Sequence, residues 1–218
     1  MNVREPLSEH RIVEAAARVA DLGGVGAISM RNVGRELGVE AMSLYHHVAS
    51  KEALLDALVD WVFAQIELPT PEMSWRTGMR VQARSARRVL VEHSWALTLV
   101  ESRSRPGPAV LRHHDAVIGC LLSGGFSLDL VAQAFSVLDA YVYGFALTER
   151  NLPFDPTSTD GAVDLAAEML PALAAYPHLA ELAVHLTGAG EYSFSAQFEE
   201  GLDLILDQLE MRAREAQA

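Results

Sequence analysis

Cysteine is almost missing from this 218-residue chain. The one residue, Cys120, sits in the apolar run AVIGCLL, so it excludes an internal disulfide and reads as a buried core thiol in a reducing compartment. An apolar N-terminal run is missing too: MNVREPLSEH lacks the core of a secretory signal. Uninterrupted apolar runs of membrane length do not occur. The most apolar long stretch, Leu128 to Leu147, carries Asp129, Gln133, Ser136 and Asp139, and these polar groups argue against a membrane span. No phosphate-cradling glycine loop, GxSxG or HExxH occurs, which removes the commonest enzyme signatures. The cluster His113, His114 and Asp115, with His93 and Glu101, lacks the i, i+4 spacing of a helical metal site, so no metal and no cofactor are expected. There are no internal repeats, low-complexity tracts or strand-rich sections. The expectation is a cytoplasmic, all-α protein.

Positive charge is also scarce, with 17 Lys and Arg against 29 Asp and Glu, a net of −12. Its distribution is uneven. Residues 1–51 carry six basic groups (Arg4, Arg11, Arg18, Arg31, Arg35, Lys51) and six acidic ones (Glu5, Glu9, Glu14, Asp21, Glu36, Glu40). All the excess negative charge lies beyond them. An acidic body suppresses non-specific adhesion to nucleic acid, while few phosphate contacts leave affinity dependent on shape and dimerisation, so the charge permits DNA binding without pointing to it.

That N-terminal part holds the most informative stretch, SMRNVGRELGVEAMSLYHH over Ser29–His47. Ser29 can cap a helix continued by Arg31 to Leu37, in which Val33 and Leu37 share one face. Gly38 supplies the permissive backbone of a helix C-terminus, Val39 plugs the turn, and Ala41 opens a second helix. The pattern is a helix-turn-helix. With Leu44 pointing inward at roughly 100° per residue, the outward face is Met42, Ser43, Tyr45 and His46. Ala41 and His47 lie nearer the core. A hydroxyl, a phenol, an imidazole and a thioether suit base edges, thymine methyls and phosphates. Lys51 comes next, placed for a phosphate. An upstream helix over Leu7–Leu22, stopped by Gly23-Gly24-Val25-Gly26, and a downstream one from Lys51 complete a small core. Its expected members are Ile12, Val19, Ile28, Val33, Leu37, Val39, Leu44 and Val48.

Here the chain resembles the TetR family of transcriptional regulators. The likeness rests on IVEAAARVADLGGVGAISMRNVGRELGV through SLYHHVASKEALLDAL, with SW near 75, RSRPG near 105 and GGFS near 125 resembling the tetracycline-repressor branch. The resemblance implies a DNA-binding head over residues 1–50, a connecting helix over 51–66, and a helical-bundle ligand-binding and dimerisation domain over 67–218. It also implies a ligand-responsive regulator of double-stranded operator DNA, in most members a repressor released by a small molecule. An activator of the same family, or a helical ligand-binding protein or enzyme that does not bind DNA, are the alternatives. DNA contacts fall to Arg31, Ala41, Met42, Ser43, Tyr45, His46, His47 and Lys51.

The prolines of Glu67-Leu68-Pro69-Thr70-Pro71 break the connecting helix. The spacing then predicts helices over Trp75–Glu92, Ser94–Glu101, Ala109–Leu122, Ser127–Arg150, Asp164–Ala175, Leu179–Leu186 and Phe194–Arg214, with a loop over Asn151–Gly161. In the longest helix Leu128, Val131, Phe135, Leu138, Val142 and Phe145 form one apolar seam. Leu130, Ala134, Val137, Tyr141, Gly144 and Thr148 form a second face. A helix apolar on two sides needs two covers, and homodimerisation through Ser127–Arg150 and Phe194–Arg214 is expected to supply one. In Phe194–Arg214 the expected apolar seam is Phe198, Leu202, Ile205 and Leu209, with Leu202 and Ile205 expected at the dimer interface.

The expected ligand pocket takes Trp75, His93, Trp95, Phe135, Tyr141, Tyr143 and Phe145, with Glu101, Asp139 and Glu149 as charges. The same aromatics at helical spacing serve equally as core. Tetracycline repressors hold a Mg²⁺–drug chelate with a His before the RP turn. This chain has Glu101 there, and Thr148 where a carboxylate would complete the metal shell. Tetracycline and an obligatory Mg²⁺ are therefore not expected; a flat aromatic ligand, cationic if the carboxylates pair with it, fits better.

Overall fold

The computed structural model describes residues 6–102, 105–188 and 193–216. Among them there is no strand, and the helices are α1 (Glu9–Gly23), α2 (Met30–Leu37), α3 (Ala41–Leu44), α4 (Lys51–Phe63), α5 (Trp75–Glu92), α6 (Ala96–Ser102), α7 (Pro108–Ser123), α8 (Leu128–Arg150), α9 (Thr159–Leu173), α10 (Pro177–Gly188) and α11 (Phe194–Glu215). The fold is all-α, with a helix-turn-helix at its N-terminus.

Serines start the N-terminal helices. Ser8, Ser29 and Ser50 stand in extended backbone, and each hydroxyl accepts the N–H three residues on, from Arg11, Asn32 and Ala53. Each such cap is worth about 1 kcal/mol. Ile12, Ala15, Ala16 and Ala20 of α1 are buried, as are Ile28, Val33, Leu44 and Val48, and α1 packs on α2. Val19, Leu37 and Val39, expected inside, are only half-buried. Met30 and Gly34 take interior places instead.

The chain divides at Leu147/Thr148 into two compact units, with α8 running through the boundary. In the first unit α4 is the hub, packing on α1, α6 and α7, while α6 also touches the 3-10 turn Val25–Ala27. Met79, Ala83, Ala86 and Leu90 of α5 are buried as their spacing requires. Cys120 is buried in α7, and burial pushes its thiol pKa up.

In α8 the inner stripe is neither expected seam. Leu130, Val131, Ala134, Leu138, Val142 and Ala146 are buried, a run at mostly four-residue steps that draws on both. Leu128 lies largely in solvent, and Phe135, Tyr141 and Phe145 are half-buried. This helix is long and apolar enough to cross a membrane by length and composition, at mean hydropathy 1.4. Its buried stripe and the carboxyl of Asp139 are also what a soluble core helix shows.

In the second unit α9 packs on α10. Ser158 caps α9 by accepting the Gly161 N–H, so the helix begins inside the expected loop. On α11 the buried residues are Phe198, Leu202, Leu206, Leu209 and Ala213. Leu202, expected at the dimer interface, is fully buried within its own chain, and Leu206 rather than half-buried Ile205 continues that inner stripe.

Candidate DNA-binding face and effector pocket

The turn between α2 and α3 is built by two glycines. Gly38 adopts φ 66°, ψ 36°, a left-handed conformation that most side chains resist, and its N–H closes α2 on Gly34 and Arg35 carbonyls. Gly34 has no room for a side chain: a Cβ there would sit 2.9 Å from the Val39 carbonyl oxygen and 3.3 Å from the Ala41 nitrogen. Asn32 Nδ2 donates to the Ala27 carbonyl at 2.7 Å, and Arg18 Nε donates to Glu36 at 2.8 Å. These contacts fix α2 against the 3-10 turn and α1 before any DNA is met.

The helical segment after the turn is shorter than expected. Regular α-helix ends at Leu44, and His47 and Val48 fold back with their N–H groups donating to the Leu44 carbonyl. Leu44 is fully buried and anchors the segment. Met42 is 72% exposed and Tyr45 45%. His46, His47 and Lys51 are exposed, and Ala41 and Ser43 are half-exposed. Arg31 lies exposed on the first turn of α2. The eight residues proposed for DNA are thus available to solvent within one short stretch of backbone.

The first unit also holds a cavity of about 320 Å³, partly open to solvent. Val59 and Phe63 of α4 form one wall and Val110 and His114 of α7 another. Val100 of α6 contributes, Arg105 and Pro106 come from the loop before α7, and Asp139 and Tyr143 from α8. Asp139 and Tyr143 are one helical turn apart and share a face. Burial alone pushes the Asp139 carboxyl up to about 6. Asp139 has no hydrogen-bond or ion-pair partner among the described residues. Burial pushes the His114 imidazole down, so it is neutral near pH 7. Its ring meets those of Phe135 and Phe63 edge-on, with centroids 5.0 and 6.2 Å away. His113 is more deeply buried beside it, pushed down to about 4 by burial and by His114. Its Nε2 lies 2.8 Å from Gln82 Nε2.

Other residues expected in the pocket stand elsewhere. Trp75 packs edge-on against Phe126 at 4.8 Å and covers Gly124. Trp95 Nε1 donates to Asp21 Oδ1 at 2.6 Å, and His93 Nδ1 lies 2.9 Å from the same oxygen. These two side chains therefore clasp the end of α1. Tyr141 and Phe145 contact each other at 5.8 Å, and the Arg87 guanidinium lies over the Phe145 ring at 5.2 Å. The Glu101 side chain lies outside the described residues, and half-buried Glu149 belongs to the second unit. Phe135 reaches the pocket only through His114. Sequence reasoning missed Val59, Phe63, Val110 and His114 as lining residues. The available signal was that α4 and α7 carry more apolar positions than one buried face needs. Among the described residues no group of three or more His, Cys, Asp or Glu is placed to hold a metal.

The Asp60 carboxylate joins the two regions. From α4 its Oδ1 accepts the Ala109 N–H at 2.7 Å and the Val110 N–H at 3.1 Å. It thereby caps α7 from a neighbouring helix, beside the cavity.

Residues 12–58 match the family profile described as bacterial regulatory proteins, tetR family, and residues 68–213 match the one described as tetracyclin repressor-like, C-terminal domain. An HTH-type transcriptional regulator of Saccharopolyspora erythraea is 35% identical over 66% of this chain, which spans 61% of that protein's length. The HTH-type transcriptional repressor DrrR1 of Streptomyces coeruleorubidus is 31% identical over 94% of this chain and 78% of its own. The TetR family protein ActR of Streptomyces coelicolor, solved in complex with actinorhodin, superposes with TM-score 0.79 at 29% identity, covering 97% of this chain and 99% of that one.

Proposed function

The chain belongs to the TetR family of bacterial regulatory proteins, and from that premise we propose that it is a homodimeric repressor released from operator DNA when a small molecule fills the cavity beside Asp139. As a ligand-responsive DNA-binding transcriptional regulator, it needs a connection between pocket and head. The observation that carries the proposal is that α4 serves both. It begins at Lys51, directly after the DNA-facing segment, and two turns on it supplies Val59, Phe63 and the Asp60 cap of α7. A ligand whose fit depends on where α4 and α7 sit favours some head positions over others. It shifts the population away from DNA by that difference in affinity.

DNA contacts are assigned to Arg31, Ala41, Met42, Ser43, Tyr45, His46, His47 and Lys51. The division proposed is a head over 1–50, a connecting helix over 51–66 and a ligand-binding body over 67–218, and the separation of the matched spans 12–58 and 68–213 supports a head distinct from the body. Pairing of two heads follows from need, because one short recognition segment reads few bases and specificity requires two half-sites about 34 Å apart. Two helices offer surfaces for pairing. On α8, Gln133, Val137, Ala140, Gly144 and Leu147 recur at 4-3-4-3 spacing and face solvent. On α11, Leu204 is 73% and Met211 53% exposed. Such heptad-spaced faces, apolar or small but for Gln133, suit a helical interface. The relatives are named as regulators, and no catalytic role is assigned. The work of the protein is on DNA, in the cytoplasm.

The test is a gel-shift titration of the full-length protein on its own upstream DNA. Lys51→Ala should weaken every sequence alike, about five- to tenfold, and Tyr45→Phe by a similar factor. Met42 or Ser43 substitutions should change sequence preference. Parent-like binding by all four variants would refute the DNA face.

A further inference from the structure

Asp139 is an unusual group to find in the wall of this cavity. The described walls are otherwise mainly apolar, from Val59, Phe63, Val100, Pro106 and Val110. A carboxylate facing such a space without a donor loses hydration and gains nothing back. No cation of the described chain stands against it, and the adjacent imidazole of His114 is held neutral by its own burial. Arg105 lines the same cavity from the loop, but it is exposed, so water screens its charge. The one strong polar demand inside the cavity is therefore for a positive group at Asp139. The Phe63 ring, the His114 ring and the volume of about 320 Å³ limit the rest of the ligand to one or two fused rings.

We infer that the effector is a small aromatic amine, protonated in solution, whose ammonium group pairs with the Asp139 carboxylate while its ring system lies between α4 and α7. This deepens the reading of the cavity as the effector site and rests on it. Asp139 acts as the specificity-determining residue. A charge-assisted pair at a desolvated carboxylate strengthens binding well beyond a neutral hydrogen bond, whereas an anionic ligand of the same shape meets a like charge. Tyr143, one turn along the same helix, borders the amine's position and restricts its approach.

Three fluorescent compounds of one shape separate the possibilities: 1-naphthylmethylamine, 1-naphthylmethanol and 1-naphthoate. Titrated calorimetrically into the full-length protein without DNA at pH 7.5, the amine should bind about tenfold or more tightly than the alcohol, and the naphthoate weakest. Asp139→Asn should erase the preference for the amine and leave alcohol binding within about twofold. Val110→Phe should weaken all three by filling the cavity. Equal binding of amine and alcohol, a preference that survives Asp139→Asn, tightest binding of naphthoate, or no amine binding at millimolar concentration would each overturn the inference. A parallel gel shift keeps the two readings apart. Discrimination at Asp139 without release of DNA sinks the effector reading and leaves the amine site standing. Release by all three compounds alike sinks the amine inference and leaves the effector site standing.

Discussion

The head and helix α8 are built on opposite principles. Over residues 9–50 the helices are short, each begins at a serine cap or a tight turn, and each has one apolar face. Their polar sides then have a single direction left, outward. Helix α8 has 23 residues and is apolar on most of its circumference, so composition alone leaves its rotation open. Leu128, the first residue of its most regular seam, ends up in solvent, whereas Ala134 and Ala146, which offer little area, are fully buried. Small residues allow a neighbouring helix to come close, and closeness decides which side is inside. A segment with local punctuation orients itself; an apolar cylinder is oriented by its neighbours.

The largest expected effect comes from removing the punctuation. Gly34→Val forces a side chain into the Val39 carbonyl and should reduce operator binding by more than about 100-fold while α5–α8 stay helical. Gel shift and circular dichroism read the two halves of that expectation. Operator binding within a few-fold of the parent would show that the turn tolerates a side chain.

Next in size is a test of which side of α8 and α11 is outward. Val137→Glu and Leu204→Glu place a charge on exposed positions and should convert a dimer to a folded monomer in sedimentation, weakening it by about 2–4 kcal/mol. Leu202 is fully buried within its own chain, so a charge there should unfold the protein instead. Dissociation by Leu202→Glu with an intact fold, and none by Val137→Glu, would reverse the assignment of faces.

The junction between the two regions comes third. Asp21→Ala leaves Trp95 Nε1 and His93 Nδ1 buried without their shared acceptor, and should cost about 2 kcal/mol in denaturant unfolding. A loss under about 0.5 kcal/mol would mean that the clasp contributes nothing to holding head and body together.

The smallest effect concerns protons in the body. Burial raises Asp139 from 3.8 to about 6, so between those values the folded chain keeps a proton that the unfolded chain has released. Its contribution therefore becomes less favourable as pH rises through that window, and the cost is complete above about 6. His113 is lowered from 6.5 to about 4. The unfolded chain takes up that proton first, and stability falls as pH drops from about 6.5 towards 4. The two slopes oppose each other in the parent. Asp139→Asn should gain about 1–2 kcal/mol at pH 7.5 and nothing near pH 4, steepening the acid loss. Unfolding curves at fixed protomer concentration check this, and a pH-independent gain would contradict it.

Much of this could be read from the chain alone. Serines placed three residues before backbone donors, glycines at the ends of α1 and α2, and the single inward leucine of α3, Leu44, suffice to specify the helix-turn-helix and its outward residues, because those interactions lie within a few residues of each other. Long-range packing set the rest. It turned α8 to a stripe neither seam named, sent Trp75 into packing and His93 and Trp95 onto Asp21, and brought Asp139 opposite Val59, Phe63 and His114. Periodicity reports that a face is apolar. Which partner covers it depends on contacts between residues far apart in sequence, and those are set by the packing of every helix at once.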